Sequence, residues 1–249
     1  MPLIVNGDDF GKDEATTKAI LEAFEKNYIN STTLMVNMPY AEEAVRLAKE
    51  SNIEAIGLHL NLTEGFPLSG DIKNNPLICS KDGSFNAAFY HNLKYRLYMD
   101  EQTIAQIEAE FRAQIDKFKD YGFKRLHIDS HHHVHTNYPV FQALKRLSGT
   151  YRLDYLRLSR NMYKGGNILN RIYKLSYNNK VKKLAGDSTD LFGSYTDILS
   201  FCAFDDKRLE ALLRSKKVEV MVHPMYDENG ELVDTDHKMN EGWKLKWKN

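Results

Sequence analysis

Two hydrophobic periods take turns along the chain, and their alternation predicts its elements. Pro2 to Asn6 reads as a short buried strand, and Asp13 opens a helix whose Ile20, Leu21 and Phe24 recur at helical spacing. Thr32 to Asn37 predicts a second strand, after which Pro39 leads into a helix carrying Ala41, Ala44, Val45 and Ala48. From about Ala55 to Leu62, the leucines 58, 60 and 62 alternate with His59, Asn61 and Thr63, giving a strand with one apolar and one polar face. Strand, helix, strand, helix, strand is the signature of a parallel sheet with helices packed outside it.

Residues 64 to 100 break this rhythm with Gly65, Pro67, Gly70, Pro76 and Gly83, followed by Phe85, Phe89, Tyr90, Tyr95 and Tyr98. An insertion of that length predicts a lid-like segment. A long amphipathic helix follows, with Ile104, Ile107, Phe111, Ile115 and Phe118 on one stripe. Arg125 to Ser130 is a fourth strand, Val140, Phe141, Leu144 and Leu147 mark a helix, and Asp154 to Leu158 is a fifth strand. Residues 160 to 190 are basic and Asn-rich and give no assignable period. Ile198 to Phe204 predicts a strand, Asp206 to Leu213 a helix, and Val218 to Val222 a last clear strand. The tail after Pro224 is polar, with Trp243 and Trp247 as its large apolar anchors. No repeat or linker divides the chain, so residues 1–249 read as one domain.

Composition narrows the functions. The 34 Lys and Arg balance 34 Asp and Glu in 249 residues, which excludes the charge footprint of a general nucleic-acid binder. Charged residues at 27% and hydrophobic ones at 42% exclude a disordered chain. Cys79 and Cys202 are too few for a disulfide framework and suit a reducing cytosol. No apolar run approaches the roughly 20 residues of a membrane span, and the strand-like Leu3-Ile4-Val5 leaves no room for a signal peptide. The expectation is a cytoplasmic protein without membrane or nucleic-acid partners. Against this ordinary background, five of the nine histidines lie between His127 and His135.

The candidate chemistry sits at strand ends. Asn6-Gly7-Asp8-Asp9-Phe10-Gly11 closes the first strand, where two adjacent carboxylates repel and call for a cation or a shared proton; capping of the next helix is the simpler alternative. Strand alternation puts His127, Asp129 and His131 on one face, and a carboxylate two residues from a histidine can fix its tautomer. His59 lies on the polar face of the third strand, and His223 ends Val220-Met221-Val222 just before Pro224. A barrel would gather Asp8, Asp9, His59, His131 and His223 at one mouth. Their wide separation suits ligands from different strands and not a zinc finger. One carboxylate and two neutral imidazoles leave positions open for water and substrate, and the remaining Asp and His then supply a base and an acid.

Asn6 to Gly11, Gly57-Leu58-His59-Leu60-Asn61-Leu62-Thr63-Glu64-Gly65, His127 to His135 and His223-Pro224, taken in this order, resemble the YdjC-like carbohydrate deacetylases, which include the chitooligosaccharide (diacetylchitobiose) deacetylases. Ser31 to Asn37 resembles that family's second strand. The resemblance implies a distorted (β/α) barrel of the glycoside hydrolase/deacetylase type, often dimeric. It also implies one divalent metal, Mg2+ or Zn2+, with Asp9, His59 and His131 as ligands, Asp8 as general base and His223 as general acid. The chain departs from the pattern with Gly7 for the usual Ala, with Met225 where Gly or Ala follows His-Pro, and with a short region after Pro224 that shows no final helix and strand.

The implied reaction removes an N-acetyl group from a small acetylated sugar. Asp129 is expected to orient His131 or His223, and His127, Asn61 and His133 to support the site or meet substrate. The aromatics of residues 85 to 98 would either stack on pyranose faces or form the insertion's own core. Arg152, Arg157 and Arg160 could hold one phosphate. Two other functions compete. His131-His132-His133 contains the His-x-His pattern of amidohydrolase and phosphoesterase sites, which often recruit two metals. A metal- or sugar-binding relative without turnover is the non-enzyme alternative.

Overall fold

The computed structural model describes residues 3–162, 165, 167–235 and 237–245. Strand β1 (Leu3–Phe10) runs into helix α1 (Glu14–Glu25), whose first turn is capped by Asp13 accepting from the Thr16 N–H at 2.8 Å. β2 (Ser31–Leu34), α2 (Ala41–Glu50) and β3 (Ile56–Leu60) repeat the unit. The insertion contributes two short helices, α3 (Ala88–His91) and α4 (Leu93–Leu97). The rhythm then resumes with α5 (Glu101–Asp120), β4 (His127–Ser130), α6 (Tyr138–Leu147) and β5 (Tyr155–Leu156). It is completed by α7 (Ile168–Leu184), β6 (Leu191–Ser194), α8 (Tyr195–Phe201), α9 (Asp206–Ser215) and β7 (Val218–Val222).

The seven strands pair in parallel in the order β5-β4-β3-β2-β1-β7-β6 and curl into a half-barrel surrounded by helices, the distorted α/β barrel that the strand–helix alternation predicts. Gly57 is required at one of these pairings. A Cβ there would lie 2.6 Å from the His127 carbonyl oxygen and 2.8 Å from Thr33 Cγ2, so only glycine lets β2, β3 and β4 close. The seam between the edge strands is bridged by the Asn161 N–H to the Phe192 carbonyl (3.0 Å) and the Gly186 N–H to the Leu153 carbonyl (2.9 Å).

Several sequence expectations change. Ile198 to Phe204 is not a strand: α8 covers most of it, nucleated by Ser194 and Asp197, whose side chains cap each other's backbone N–H groups. The unassigned stretch 160–190 contains α7. The tail is structured too, as an antiparallel sheet of β8 (Pro224–Tyr226), β9 (Leu232–Asp234) and β10 (His237–Lys238) in the order β10-β9-β8. Its anchor Trp243 is buried, stacks on Tyr195 with ring centroids 3.8 Å apart, and donates Nε1–H to the Tyr28 carbonyl. Trp247, the second expected anchor, lies outside the described residues, as does Pro2. Of the insertion's aromatics, Phe85 and Phe89 belong to the main hydrophobic core, whereas Tyr98 is exposed. Cys79 and Cys202 are free thiols. Among the described residues no helix is long and apolar enough to cross a membrane.

Candidate active site

A regular strand would send Asp8 and Asp9 to opposite faces. β1 is irregular here: its register against β2 slips between Gly7 and Phe10, and Asp9 takes a left-handed φ of 71°. Such a bulge re-aims side chains, and Asp is among the residues that tolerate this backbone best. Both carboxylates are buried at the end of β1, but they face different partners. Neither caps α1, a role that belongs to Asp13.

Asp9 meets two imidazoles. Its Oδ1 lies 2.7 Å from His131 Nδ1 and 3.2 Å from His59 Nε2. Burial pushes the Asp9 carboxyl up, but hydrogen bonds from His131 and His59 outweigh it and hold the group well below the usual carboxylate range. His59 Nδ1 is 2.7 Å from Asp129 Oδ1, and burial of this imidazole is outweighed by Asp129 and Asp9, which raise it to about 10. The ligand atoms of Asp9, His59 and His131 lie within 4.8 Å of one another, and all three residues are buried. One carboxylate and two imidazoles at this spacing fit a divalent ion with positions left open for water and substrate.

Asp8 faces a cation. Arg157 Nη1 and Nη2 donate to its Oδ2 and Oδ1 at 2.7 and 2.8 Å, and Asn6 Nδ2 donates to Oδ1 at 2.8 Å. Burial pushes the Asp8 carboxyl up, but the Arg157 charge and hydrogen bonds leave it well below the usual range, so it stays ionised. Arg157 is 0% exposed and also reaches Asp129 Oδ2 (2.7 Å) and Glu219 Oε1 (2.6 Å). Tyr155 donates its hydroxyl to Glu219. Asp8, His59 and Asp129 could also coordinate an ion by distance, but the guanidinium already sits between the two carboxylates.

β4 ends at Ser130, and the following turn (His131–Thr136) has His132 and His133 at φ 52° and 54°. Two consecutive left-handed histidines store backbone strain of the kind that clusters at functional sites. His133 is pushed well below its ordinary value by burial and then by Arg157; it also feels Asp8 and His223, and its Nδ1 has no hydrogen-bond partner among the described residues. His132 is exposed and stacks on Tyr90 of the insertion with centroids 5.3 Å apart. His135 is a structural histidine: Nδ1 pairs with Ser130 Oγ, and its carbonyl accepts from the Tyr177 hydroxyl. His223, at the end of β7, is exposed and close enough to bear on Asp8, and its backbone N–H donates to Asp234 Oδ1 at 2.9 Å.

The remaining candidates divide. Asp129 contacts His59, not the expected His131 or His223, because β3 and β4 pair with His59 directly opposite Asp129. His127 is not brought to the cluster. It begins β4, packs its ring over Tyr155 at 4.2 Å, and lines a cavity of about 170 Å³ with Ile4, Arg125 and Lys217 at the far end of the strands. Asn61 organises the loop after β3, accepting from the Thr63 and Glu64 N–H groups and donating to the Glu64 carbonyl. The expected phosphate patch is not assembled: Arg157 is buried among carboxylates, Arg160 pairs with Asp197 and Arg152 with Asp154.

Sequence reasoning missed the roles of Arg157, Glu219 and Glu64. A signal existed for the first two, since Leu156-Arg157-Leu158 and Val218-Glu219-Val220 each place a charge inside an apolar strand. Glu64 sits with Oε2 3.0 Å from His131 Nε2 and 2.9 Å from Lys12 Nζ. His131 and then Lys12 outweigh its burial and lower its carboxyl to about 2.

The model of the YdjC-like protein family matches residues 2–246. The chain belongs to this family. Among similar proteins, a relative in Brevibacillus brevis named carbohydrate deacetylase is 32% identical over 99% of this chain and 90% of its own length. One of the same name in Clostridium beijerinckii is 41% identical over 148 residues, 59% of this chain. The matched part of this chain spans only 56% of the C. beijerinckii protein. A solved structure from Enterococcus faecalis, of a protein to which cellobiose-phosphate cleavage has been ascribed, superposes with a TM-score of 0.64 at 26% identity, covering 98% of this chain and 88% of that one.

Proposed function

We propose that this YdjC-like chain is a metal-dependent carbohydrate deacetylase, removing N-acetyl groups from acetylated amino sugars or short oligosaccharides of the chitooligosaccharide type and releasing acetate. The observation that carries this reading is the divergence of two adjacent carboxylates, Asp9 towards His59 and His131 and Asp8 towards Arg157. The names of the relatives in B. brevis and C. beijerinckii, both carbohydrate deacetylase, support the coarser part of this reading, deacetylation of a carbohydrate.

A divalent ion held by Asp9, His59 and His131 would supply Lewis acidity towards the amide oxygen and lower the pKa of a water. Two imidazole donors favour Zn2+ over Mg2+, which prefers oxygen ligands. Asp8 takes the water's proton. Its Oδ1 already accepts from Arg157 and Asn6, whereas among the described residues Oδ2 accepts from Arg157 alone, so Oδ2 keeps the lone pair for this work. As the amide C–N bond breaks, His223 gives its proton to the leaving amine. Its exposure at the end of β7 suits a group that must reach the sugar nitrogen. His133, whose Nδ1 has no partner among the described residues, is assigned to substrate contact. Tyr90, brought by the insertion onto His132, offers a flat face to pyranose C–H bonds, so residues 64–100 act as a lid over the mouth.

The two-metal phosphoesterase reading is disfavoured by Arg157, whose permanent charge fills the place between the carboxylates of the second donor set. An unphosphorylated sugar suits these three arginines, since Arg152, Arg157 and Arg160 are each paired with carboxylates. Acetate release from diacetylchitobiose, with and without chelator, tests the proposal. Chelator-sensitive release is expected; binding of N-acetylated sugars without release would leave only a binding protein.

A further inference from the structure

Both candidate ligand histidines have a carboxylate at each ring nitrogen. His59 turns Nε2 towards Asp9 Oδ1 and Nδ1 towards Asp129. His131 turns Nδ1 towards the same Asp9 oxygen and Nε2 towards Glu64 Oε2, at 3.0 Å. A metal-ligating imidazole uses one nitrogen for the ion and donates N–H from the other. A carboxylate on that N–H fixes the tautomer and raises the basicity of the ligand. Asp129 is so placed for His59. On His131 the corresponding place is taken by Glu64.

Glu64 is held where it is by its backbone and by a cation. Asn61 and Asn37 donate to its carbonyl at 2.6 and 3.1 Å, and Asn61 Oδ1 accepts its N–H at 3.2 Å. Gly65 follows at φ 72°, where a Cβ would come within 2.8 Å of Met38 Sδ, so the loop cannot easily take another course. Lys12 Nζ reaches the same Oε2 that faces His131. The Glu64 oxygen is within ion-pair distance of His131 Nε2, which makes no hydrogen bond among the described residues and so has its N–H to give. Glu64 stands apart from the donor set itself, which comprises Asp9, His59 and His131.

We propose that Glu64, steered by Lys12, is the positioning carboxylate of His131: it accepts the Nε2–H, so that His131 offers Nδ1 to the ion while His59 offers Nε2. The inference rests on the metal-site reading above and deepens it, because it makes the two histidines ligate through opposite ring nitrogens.

Zn2+ affinity of the full chain, measured by competition with a chelating indicator, tests the role of Glu64 without any substrate. Glu64→Ala is expected to weaken Zn2+ binding by about 10- to 100-fold, the range for loss of such a partner. Glu64→Gln, whose amide oxygen still accepts N–H, should recover most of that loss, and Lys12→Met should give a smaller one. In the Zn2+-loaded, 15N-histidine-labelled parent, His131 should carry its proton on Nε2. Parent-like affinity in Glu64→Ala, or a His131 proton on Nδ1, would overturn the assignment. A parent chain that takes up no Zn2+ would instead overturn the metal-site reading, and this inference with it, so the two failures are separable.

Discussion

Arg157 and Asp8, 149 residues apart in sequence, form a two-pronged ion pair inside the barrel, Nη1 to Oδ2 at 2.7 Å and Nη2 to Oδ1 at 2.8 Å. The same guanidinium binds Asp129, which holds His59, and Glu219 on β7. One buried cation thus fixes the proposed base, the support of a proposed ligand, and the wall of the barrel.

Arg157→Lys should fold but lose acetate release by at least ~10²-fold, since a lysine cannot hold Asp8 bidentately and misplacement of about 1 Å costs that much. Arg157→Ala leaves three buried carboxylates without their cation and should cost about 3–5 kcal/mol. That is a fall in Tm of roughly 10 °C at about 2–4 °C per kcal/mol, measurable by calorimetry. A stable Arg157→Ala variant with parent activity would remove Arg157 from the account.

Asp8→Asn should keep its metal and lose amide hydrolysis by at least ~10²-fold, the low end for a general base. Elemental analysis and an acetate assay on one preparation check both halves. Full activity would take Asp8 out of the chemistry.

Acid should destabilise the metal-free protein through buried neutral histidines. Burial pushes His127 from the ordinary 6.5 to about 4 and His135 to about 3. The unfolded chain gains these protons as pH falls through 6.5, but the folded chain gains them only near 4 and 3. Their contribution is therefore whole above pH 6.5 and declines below it, by about 1.4 kcal/mol per pH unit for each histidine. His59, raised to about 10, stays protonated in the folded chain and adds an opposing slope above pH 6.5, where the unfolded chain loses its proton, so the comparison belongs below that value. Denaturant unfolding at pH 6 and 5 should show the loss, and His127→Gln should reduce it. Equal midpoints at the two pH values would contradict neutral burial.

The barrel was legible because strand and helix periods alternate through Leu147 on either side of the 64–100 insertion, and each strand–helix unit carries its own local pattern. The placement of Asp8, Asp9, His59, His131 and His223 at strand ends was legible for the same reason. What escaped was set by contacts between distant segments. Asp129 serves His59 because β3 and β4 pair in that register, and no spacing within either strand states it. Arg157 stands out as a charge inside an apolar strand, but its partners Asp8, Asp129 and Glu219 are distant in sequence, so it reads as part of a phosphate-holding patch until they are folded around it. The polar tail gained its three strands by docking, with Tyr226 donating to Glu22 on α1 and Trp243 packing on Tyr195.

Trp243→Ala tests that docking. Removing a buried tryptophan should cost about 3–5 kcal/mol, read as a lower denaturation midpoint. An unchanged midpoint would mean that the tail adds little to the barrel.

Metal content per chain bears most directly on the central claim. The parent, loaded with Zn2+ and dialysed, should retain one ion per chain by elemental analysis, and His59→Ala and His131→Ala should retain none, while His135→Ala keeps its ion. Two ions in the parent, or an undiminished content in the His59 and His131 variants, would contradict a single centre built on Asp9, His59 and His131.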